Sequence, residues 1–548
     1  MDKRNISRKL AAVTLVAVTA AARTGTAALA ESSSGTGTVR KAAVFIRDGE
    51  EDAGREYEAG AYAESITAKK DALEISDLVM NSGSYSFTGI AASGSASTVR
   101  MENSTINMAV DEETSGDQAG GDAVTAEDGA SVFISDSDLT VEGAGRNVTF
   151  VGNNSRLIVN DSTFTSTGSS GNTEDIPEPD SNEALLISGS ARANVSAGNS
   201  QTYYYNSTVT AEGWGALCTD PAKEGGSDLY AYNTQAYALD GGYGAGADAN
   251  CRVWLYGSTI NSAEDGVLIS GNGQITAASG EKAPEEALAF NEGDTTAKET
   301  TITAGRNAVL FYASAGTKEG ADDSASGTLK LSGGSVMTTE DALTSATDYK
   351  DKYGSAAASY LSYVSGADIL IQGTGADISL DRTKLDSYSG VLVLSAIHPD
   401  SPENSPEEEG ADRADPVLVK MSDMDVKGDI LHMDYQRSMK VELNDTHWEG
   451  TLVSGTYEDW QEQWADLADE DADRISGSRQ DGLDGAALTL NGHSKWTVNG
   501  DSVLASLSIG DDAAVIVNKG VRLTLTDGTA LADGSQNEAV ELHASDIK

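Results

Sequence analysis

The chain has 548 residues and carries 86 acidic against 37 basic residues, a formal net charge of -49. A surface that acidic repels nucleic acid and anionic lipid, which excludes a nucleic-acid-binding role. The length exceeds what one compact core holds, and 58 Gly against 8 Pro suits many tight corners with few linkers, so one long repeat array is favoured over several domains.

Residues 1–30 read as a signal peptide: Lys3, Arg4, Arg8 and Lys9 precede an apolar run from Leu10 to Ala22, and Ala28 and Ala30 form an AxA-type cleavage site. The run is too short to cross a bilayer, and no later segment approaches the roughly 20 apolar residues a span needs. The expectation is a secreted or cell-surface protein without a membrane span. Residues 31–70 are expected to form a tether and cap, Ser/Gly/Thr-rich from Glu31 to Thr38, with a first strand near Val44.

From 71 to 455 one phrase keeps returning. It reads VFISDSDLT from Val132, VRMENSTIN from Val99, LIVNDSTFT from Leu157, TYYYNSTVT from Thr202 and VWLYGSTIN from Val253. Weaker copies start at Leu229, Leu329, Ile378 and Leu488. Each copy has a period-2 strand, a polar corner of Asn, Asp, Gly and Ser, and an apolar residue that turns back inward. Starts fall 25 residues apart from Val132 to Leu157, 27 from Thr202 to Leu229 and 24 from Leu229 to Val253. The 33 from Val99 to Val132 fit one rung carrying an inserted loop. A leucine-rich repeat shares this period but not the missing LxxLxLxxN phrase. The predicted fold is therefore all-β: a right-handed parallel β-helix solenoid with inserted loops and one short flanking helix.

The Pro, Glu and Ser content of Glu174–Glu183 and His398–Pro416 marks exposed excursions. Residues 456–485 are expected to form an acidic helical insertion, with Thr456 and Asp459 as a capping box and Trp460, Trp464 and Leu467 on one face. Residues 486–548 return to rungs, including LTLTDGTAL from Leu523. An open last rung would be an exposed sheet edge. Either the last dozen residues fold over it, or the chain is a piece of a longer product.

Chemical motifs are few. With so many carboxylates, acidic pairs are inevitable and prove nothing about glycosidase or lyase chemistry. The pectinase signatures fail: Asp322 and Asp323 lie in an acidic excursion, His493 sits in GHS, and no RIK occurs. Asp469, Asp471 and Asp473 imitate the start of an EF-hand loop, but Arg474 stands where its Gly belongs and Gln480 where its Glu belongs. GGYGAGAD from Gly241 approximates a Ca2+-binding nonapeptide with the wrong spacing and in a single copy. The five His are scattered, and no GxSxG, Walker or CxxC motif appears. No catalytic residue, cofactor or metal ligand is assigned; the acidity could attract Ca2+ or only keep the surface soluble. Cys218 and Cys251, 33 residues apart, are disulfide candidates in an exported chain, the alternative being two buried thiols.

One constellation stands out when Ser207, Thr234 and Ser258 are set in register. Tyr203, Tyr230 and Trp254 then form one column and Tyr205, Tyr232 and Tyr256 a second, while Tyr204, Ala231 and Leu255 take the opposite face. Small aliphatics suit a narrow interior, so the aromatic columns are expected to face out as a flat strip for sugar rings or a protein partner. The alternative is a local core, covered by the excursion containing Trp214 or by the loop around Tyr243.

Over about residues 71–548 the rung phrases resemble the right-handed parallel β-helix repeat proteins that bacteria export, adhesin-like with a pectate-lyase-like fold. GWGALCTD from Gly213, DGGYGAGAD from Asp240 and WTVNGDSVLASLSIGDDAAVIV from Trp496 are similar to elements of the adhesin-like members. The resemblance implies a secreted or surface-associated protein whose binding roles are poorly defined, and it carries over no catalytic residue; glycans or host and cell-surface proteins are the partners expected of the exposed surface. The leading expectation is a non-enzymatic β-helix displaying a long acidic surface. The runner-up is a polysaccharide lyase or glycoside hydrolase with an unrecognised acidic site, and a purely structural spacer is the third.

Overall fold

The computed structural model describes residues 41–47, 50–51, 62–69, 72–83, 87–108, 121–143, 146–167, 192–220, 225–279, 288–290, 298–312, 326–333, 336–339, 366–396, 415–434, 437–454 and 485–547. Two compact units divide the chain, residues 1–38 and 39–548, and every described residue belongs to the second. The expected signal peptide and the expected helical insertion at 456–485 lie outside the described residues. Among those described there is no α-helix; a 3-10 turn spans Ala544–Asp546, and no helix among them is long and apolar enough to cross a membrane.

A rung is three strands. One runs through Gln201–Tyr205, Thr208–Ala211 and Gly215–Asp220. The next runs through Asp228–Tyr232, Gln235–Ala238 and Tyr243–Ala247. A third follows in Arg252–Tyr256, Thr259–Ser262 and Asp265–Ser270. Equivalent strands pair parallel and in register, Leu229 opposite both Thr202 and Val253. Each rung therefore advances by one strand spacing, about 4.8 Å. This is an all-β parallel β-helix.

Its third face is a 17-stranded sheet, and the first two faces are joined in one 24-stranded sheet. The join is the 11-residue strand Ala72–Ser82, which pairs with both Thr98–Glu102 and Thr105–Met108. From Asp425 onward a separate five-stranded sheet forms the second face.

The interior follows from alternation. Val132, Leu157, Leu229, Val253, Ile275 and Leu329 stack in one buried column, and Ile134, Val159, Tyr204, Ala231, Leu255 and Ala277 in another. Burying each Val or Leu contributes roughly 1.5–3 kcal/mol, repeated on every rung. The large members carry a polar tip that finds a partner. Tyr204 Oη donates to Asn194 Oδ1 at 3.1 Å. Trp448 and Trp496 stack at 5.1 Å in adjacent rungs, their indole N–H groups donating to the carbonyls of Gly428 and Gly450.

The corner of the repeated phrase has two physical causes. Its Asx residue takes left-handed backbone, with φ 49° at Asp136, 48° at Asp161, 50° at Asn206 and 49° at Asn233, and glycine replaces it at Gly257. Asn, Asp and Gly are the residues that tolerate this region. The following Ser or Thr turns its hydroxyl along the stack. Ser162 Oγ accepts the Ser137 N–H at 3.1 Å and donates to the Asn160 carbonyl at 2.7 Å. Ser137 does the same for Ser104, Ser207 for Ser162, and Ser258 for Thr234. The corner N–H groups of Ser104, Ser137, Ser162 and Thr234 are each buried and satisfied from the next rung.

Pairing changes sense toward both ends. Lys41–Arg47 already lies parallel to Phe87–Ser93, so strands begin within the expected tether and cap, and Tyr62–Lys69 runs antiparallel to Ala72–Ser82. At the other end Arg522–Leu525 pairs antiparallel with Ala530–Asp533, and Val540–Leu542 returns antiparallel onto Ala514–Val517. Leu542 closes into the interior core. The last residues thus cover rung edges that parallel stacking would leave open.

Candidate functional site

The six aromatic residues stand on the outer face of the first sheet, opposite Tyr204, Ala231 and Leu255, which belong to the interior core. Tyr203, Tyr230 and Trp254 stack nearly parallel, with ring centroids 4.7 and 4.3 Å apart and interplanar angles of 5° and 4°. In the second column Tyr205 and Tyr232 are tilted by 56° at 6.4 Å, and Tyr256 follows in register.

The strip is not open. Tyr205 and Tyr232 are 0% and 1% exposed, Tyr203, Tyr230 and Tyr256 are also buried, and only Trp254 is half-buried. Leu288 and Phe290, from the segment between Ala278 and Thr301, pack on the columns together with Phe133 and Ile158. Phe290 meets Tyr203 edge-on at 5.0 Å and Phe133 at 6.3 Å. Burial raises the Tyr205 phenol well above the ordinary tyrosine range, offset in part by a hydrogen bond from the Phe290 backbone. The same segment is tied down where Lys298 N–H donates to Asn233 Oδ1 at 2.9 Å.

The cover expected from Trp214 or Tyr243 thus comes from elsewhere. Trp214 lies 4.9 Å from the Arg192 guanidinium. Tyr243 belongs to the third face, where its ring fills space that a Cβ at Gly215 or Gly246 would occupy. The reason for a cover is area: each ring brings about 150–250 Å2 of surface, more than a monomer leaves exposed in one patch.

Beside the aromatic columns, two residues earlier in each strand, runs a polar column on the same face: Arg156, Gln201, Asp228 and Arg252. Arg252 grips Asp228 through Nε and Nη2, both at 2.8 Å, and lies 5.2 Å from the Trp254 ring centroid. Arg156 donates to Gln201 Oε1 at 3.2 and 2.9 Å and lies 5.3 Å from the Phe290 ring. A polar cleft of about 270 Å3 opens along this column. Sequence alignment of the rungs reached the aromatic residues but missed this column, although Gln201, Asp228 and Arg252 hold one position of the repeat.

Cys218 and Cys251 are free, buried thiols. Leu217 turns into the interior core, and its neighbour Cys218 does not. Thr219, on the face opposite to Cys218, hydrogen-bonds toward Cys251, whose Sγ also accepts the Ser227 N–H at 3.3 Å. Cys218 lies within the strand Gly215–Asp220 and Cys251 at the corner before Arg252–Tyr256, and no bridge joins them. Burial pushes the thiols up to about 12 at Cys218 and about 11 at Cys251, which keeps both unreactive.

On the outer side of the third face Arg192 holds Asp220 at 2.8 and 2.9 Å. Burial, then the nearby Asp220, raises the Asp248 carboxyl to about 6. This is one close pair of acids with a raised member, and the aligned Asp of GALCTD and GAGAD was the signal for it. Among the described residues no group of His, Cys, Asp or Glu is placed to hold a metal ion. The EF-hand-like Asp469, Asp471 and Asp473 lie outside the described residues.

Comparisons with family models, with curated proteins and with solved structures give no match. The functional reading therefore rests on the residues themselves.

Proposed function

We propose that this protein is a non-enzymatic, extracellular, adhesin-like β-helix whose outer face contacts glycans, with the contact centred on Trp254 and the polar column beside it. The export-type leader supports the extracellular setting. The observation that carries the reading is how the aromatic stack ends. Tyr230 covers one face of the Trp254 ring, and the next aligned residue is the small Thr276. A half-buried indole thus borders the Arg252–Asp228 fork. A flat apolar ring beside fixed donors and acceptors suits the C–H face and hydroxyls of a pyranose. The surrounding negative charge favours neutral glycans over uronates or sulfated sugars.

A glycan array probed with the wild-type chain and with Trp254→Ala tests this. Binding to neutral glycans that disappears in the variant, with the melting curve retained, is the expected result; an array with no hit sinks the reading. Accumulation of reducing ends or unsaturated products from a polysaccharide panel, with or without Ca2+, would favour the lyase or hydrolase alternative instead.

A further inference from the structure

We infer that the cleft beside Gly226 is a subsite for an N-acetylated sugar, whose acetamido group completes a broken ladder of side-chain amides. This names the ligand class for the glycan reading above and rests on it.

Parallel stacking places like side chains above one another at about 4.8 Å per rung. In the corner before the first strand, the pairing of Arg156, Gln201, Asp228, Arg252 and Gln274 aligns Asn154, Asn199, Gly226, Asn250 and Asn272. Asn199 Nδ2 donates to Asn154 Oδ1 at 2.7 Å, and Asn272 Nδ2 donates to Asn250 Oδ1 at 2.8 Å. One rung, that of Gly225 and Gly226, has no amide to contribute.

The backbone there admits no substitute at the aligned position, because a Cβ on Gly226 would come within 1.7 Å of the Asn250 carbonyl oxygen. Gly225 has φ 80°, and a Cβ there would sit 3.4 Å from Asn199 Oδ1. The gap opens onto the cleft of about 270 Å3, lined by Asn154, Asn199, Ser200, Gln201, Gly226, Asp228 and Arg252, and register places Asn250 one rung beyond Gly226. That volume is just under the ~300 Å3 at which small-molecule sites begin, the scale of a single sugar unit.

The ladder has a direction, and the direction selects the ligand. Asn199 spends its Nδ2 on Asn154, so its Oδ1 is the acceptor next to the gap. Asn250 accepts through Oδ1 from Asn272, so its amide donor is what remains for the gap. A ligand matching both presents an N–H to one side and a C=O to the other in one plane, which a secondary amide does. A free amino sugar lacks the carbonyl, and a carboxylate would set like charge against Asp228. With the acetamido group in the gap, the sugar hydroxyls reach the Asp228–Arg252 fork and the ring approaches Trp254.

Calorimetric titration of the full chain with N,N′-diacetylchitobiose, its fully deacetylated counterpart and cellobiose separates these possibilities, since the three differ only at C2. The acetylated disaccharide should bind at least about tenfold more tightly than either of the others. Gly225→Asn puts an amide beside Asn199 from left-handed backbone that Asn adopts more readily than other side chains, so it should abolish that preference, with a modest fall in the unfolding midpoint because its Cβ comes within 3.3 Å of Asn199 Cβ. Asn199→Ala should abolish the preference independently, should the first variant fail to fold. Trp254→Ala should weaken all three sugars alike. Equal binding of the three sugars, or a preference that survives both corner variants, overturns the acetamido subsite and leaves the glycan reading standing. No binding by any of the three, together with an empty glycan array, removes both.

Discussion

At the scale of single residues, the repeated phrase encodes a hydrogen-bonding device more than a hydrophobic one. The apolar positions could be Val, Leu, Ile or Tyr, as Val132, Leu157, Ile134 and Tyr204 demonstrate. The Asx–Ser corner is narrower in its choice, because it needs left-handed backbone followed by a short hydroxyl. Ser162→Ala deletes the acceptor of the buried Ser137 N–H, and leaving such a donor unsatisfied costs about 1–3 kcal/mol. Ser162→Thr keeps the hydroxyl, as Thr234 and Thr446 do at equivalent corners. Urea denaturation should place the Ala variant clearly below wild type and the Thr variant near it. Equal midpoints for the two variants would mean that the ladder contributes nothing to stability.

At the scale of elements, alternation and register were readable from the sequence, and contacts made by loops were not. A period of two assigns Tyr203 and Tyr205 to one face and Tyr204 to the other with no knowledge of the fold, and both assignments hold. What covers the outer face has no period. Leu288 and Phe290 sit in EALAFN, an unremarkable stretch of an acidic excursion, while Trp214 and Tyr243 were nearer in sequence and larger. Trp214 lies instead against Arg192, and Tyr243 settles into a glycine notch on another face. The free thiols have the same lesson: a 33-residue spacing brings Cys218 and Cys251 to neighbouring rungs, but Cys218 stands within a strand of the third face and Cys251 at a corner, and they stay unbridged. If Phe290 holds the cover, Phe290→Ala loses two edge-to-face contacts, each about 0.5–1.5 kcal/mol beyond the area it buries. The variant should be destabilised by at least about 1–3 kcal/mol and should bind an apolar dye that the wild type does not. Unchanged stability with no dye binding would show that the rings are shielded without it.

For the molecule as a whole, stacking implies modularity that a single-core domain lacks. Each described rung touches its neighbours in sequence order, so stability approximates a sum of rung and interface terms. Deleting Asp228–Cys251 removes one period of 24 residues. The cut joins Ser227 to Arg252, which brings Gln201 opposite Arg252 and Tyr203 opposite Trp254 with every side chain in its original phase. The third face also closes, because Gly215 then meets Asp265 in place of Tyr243. Removing one residue more, through Arg252, keeps almost the same composition but shifts the following strand by one position, sending Val253 and Leu255 outward and Trp254 inward. The first deletion should retain a β-rich circular dichroism spectrum and a cooperative melt only a few degrees lower. The second should lose cooperativity or aggregate, because its interior columns no longer match those of the rung before. If both deletions melt alike, strand phase is not what holds the coil together, and the parallel register from Arg156 to Gln274 would need another explanation.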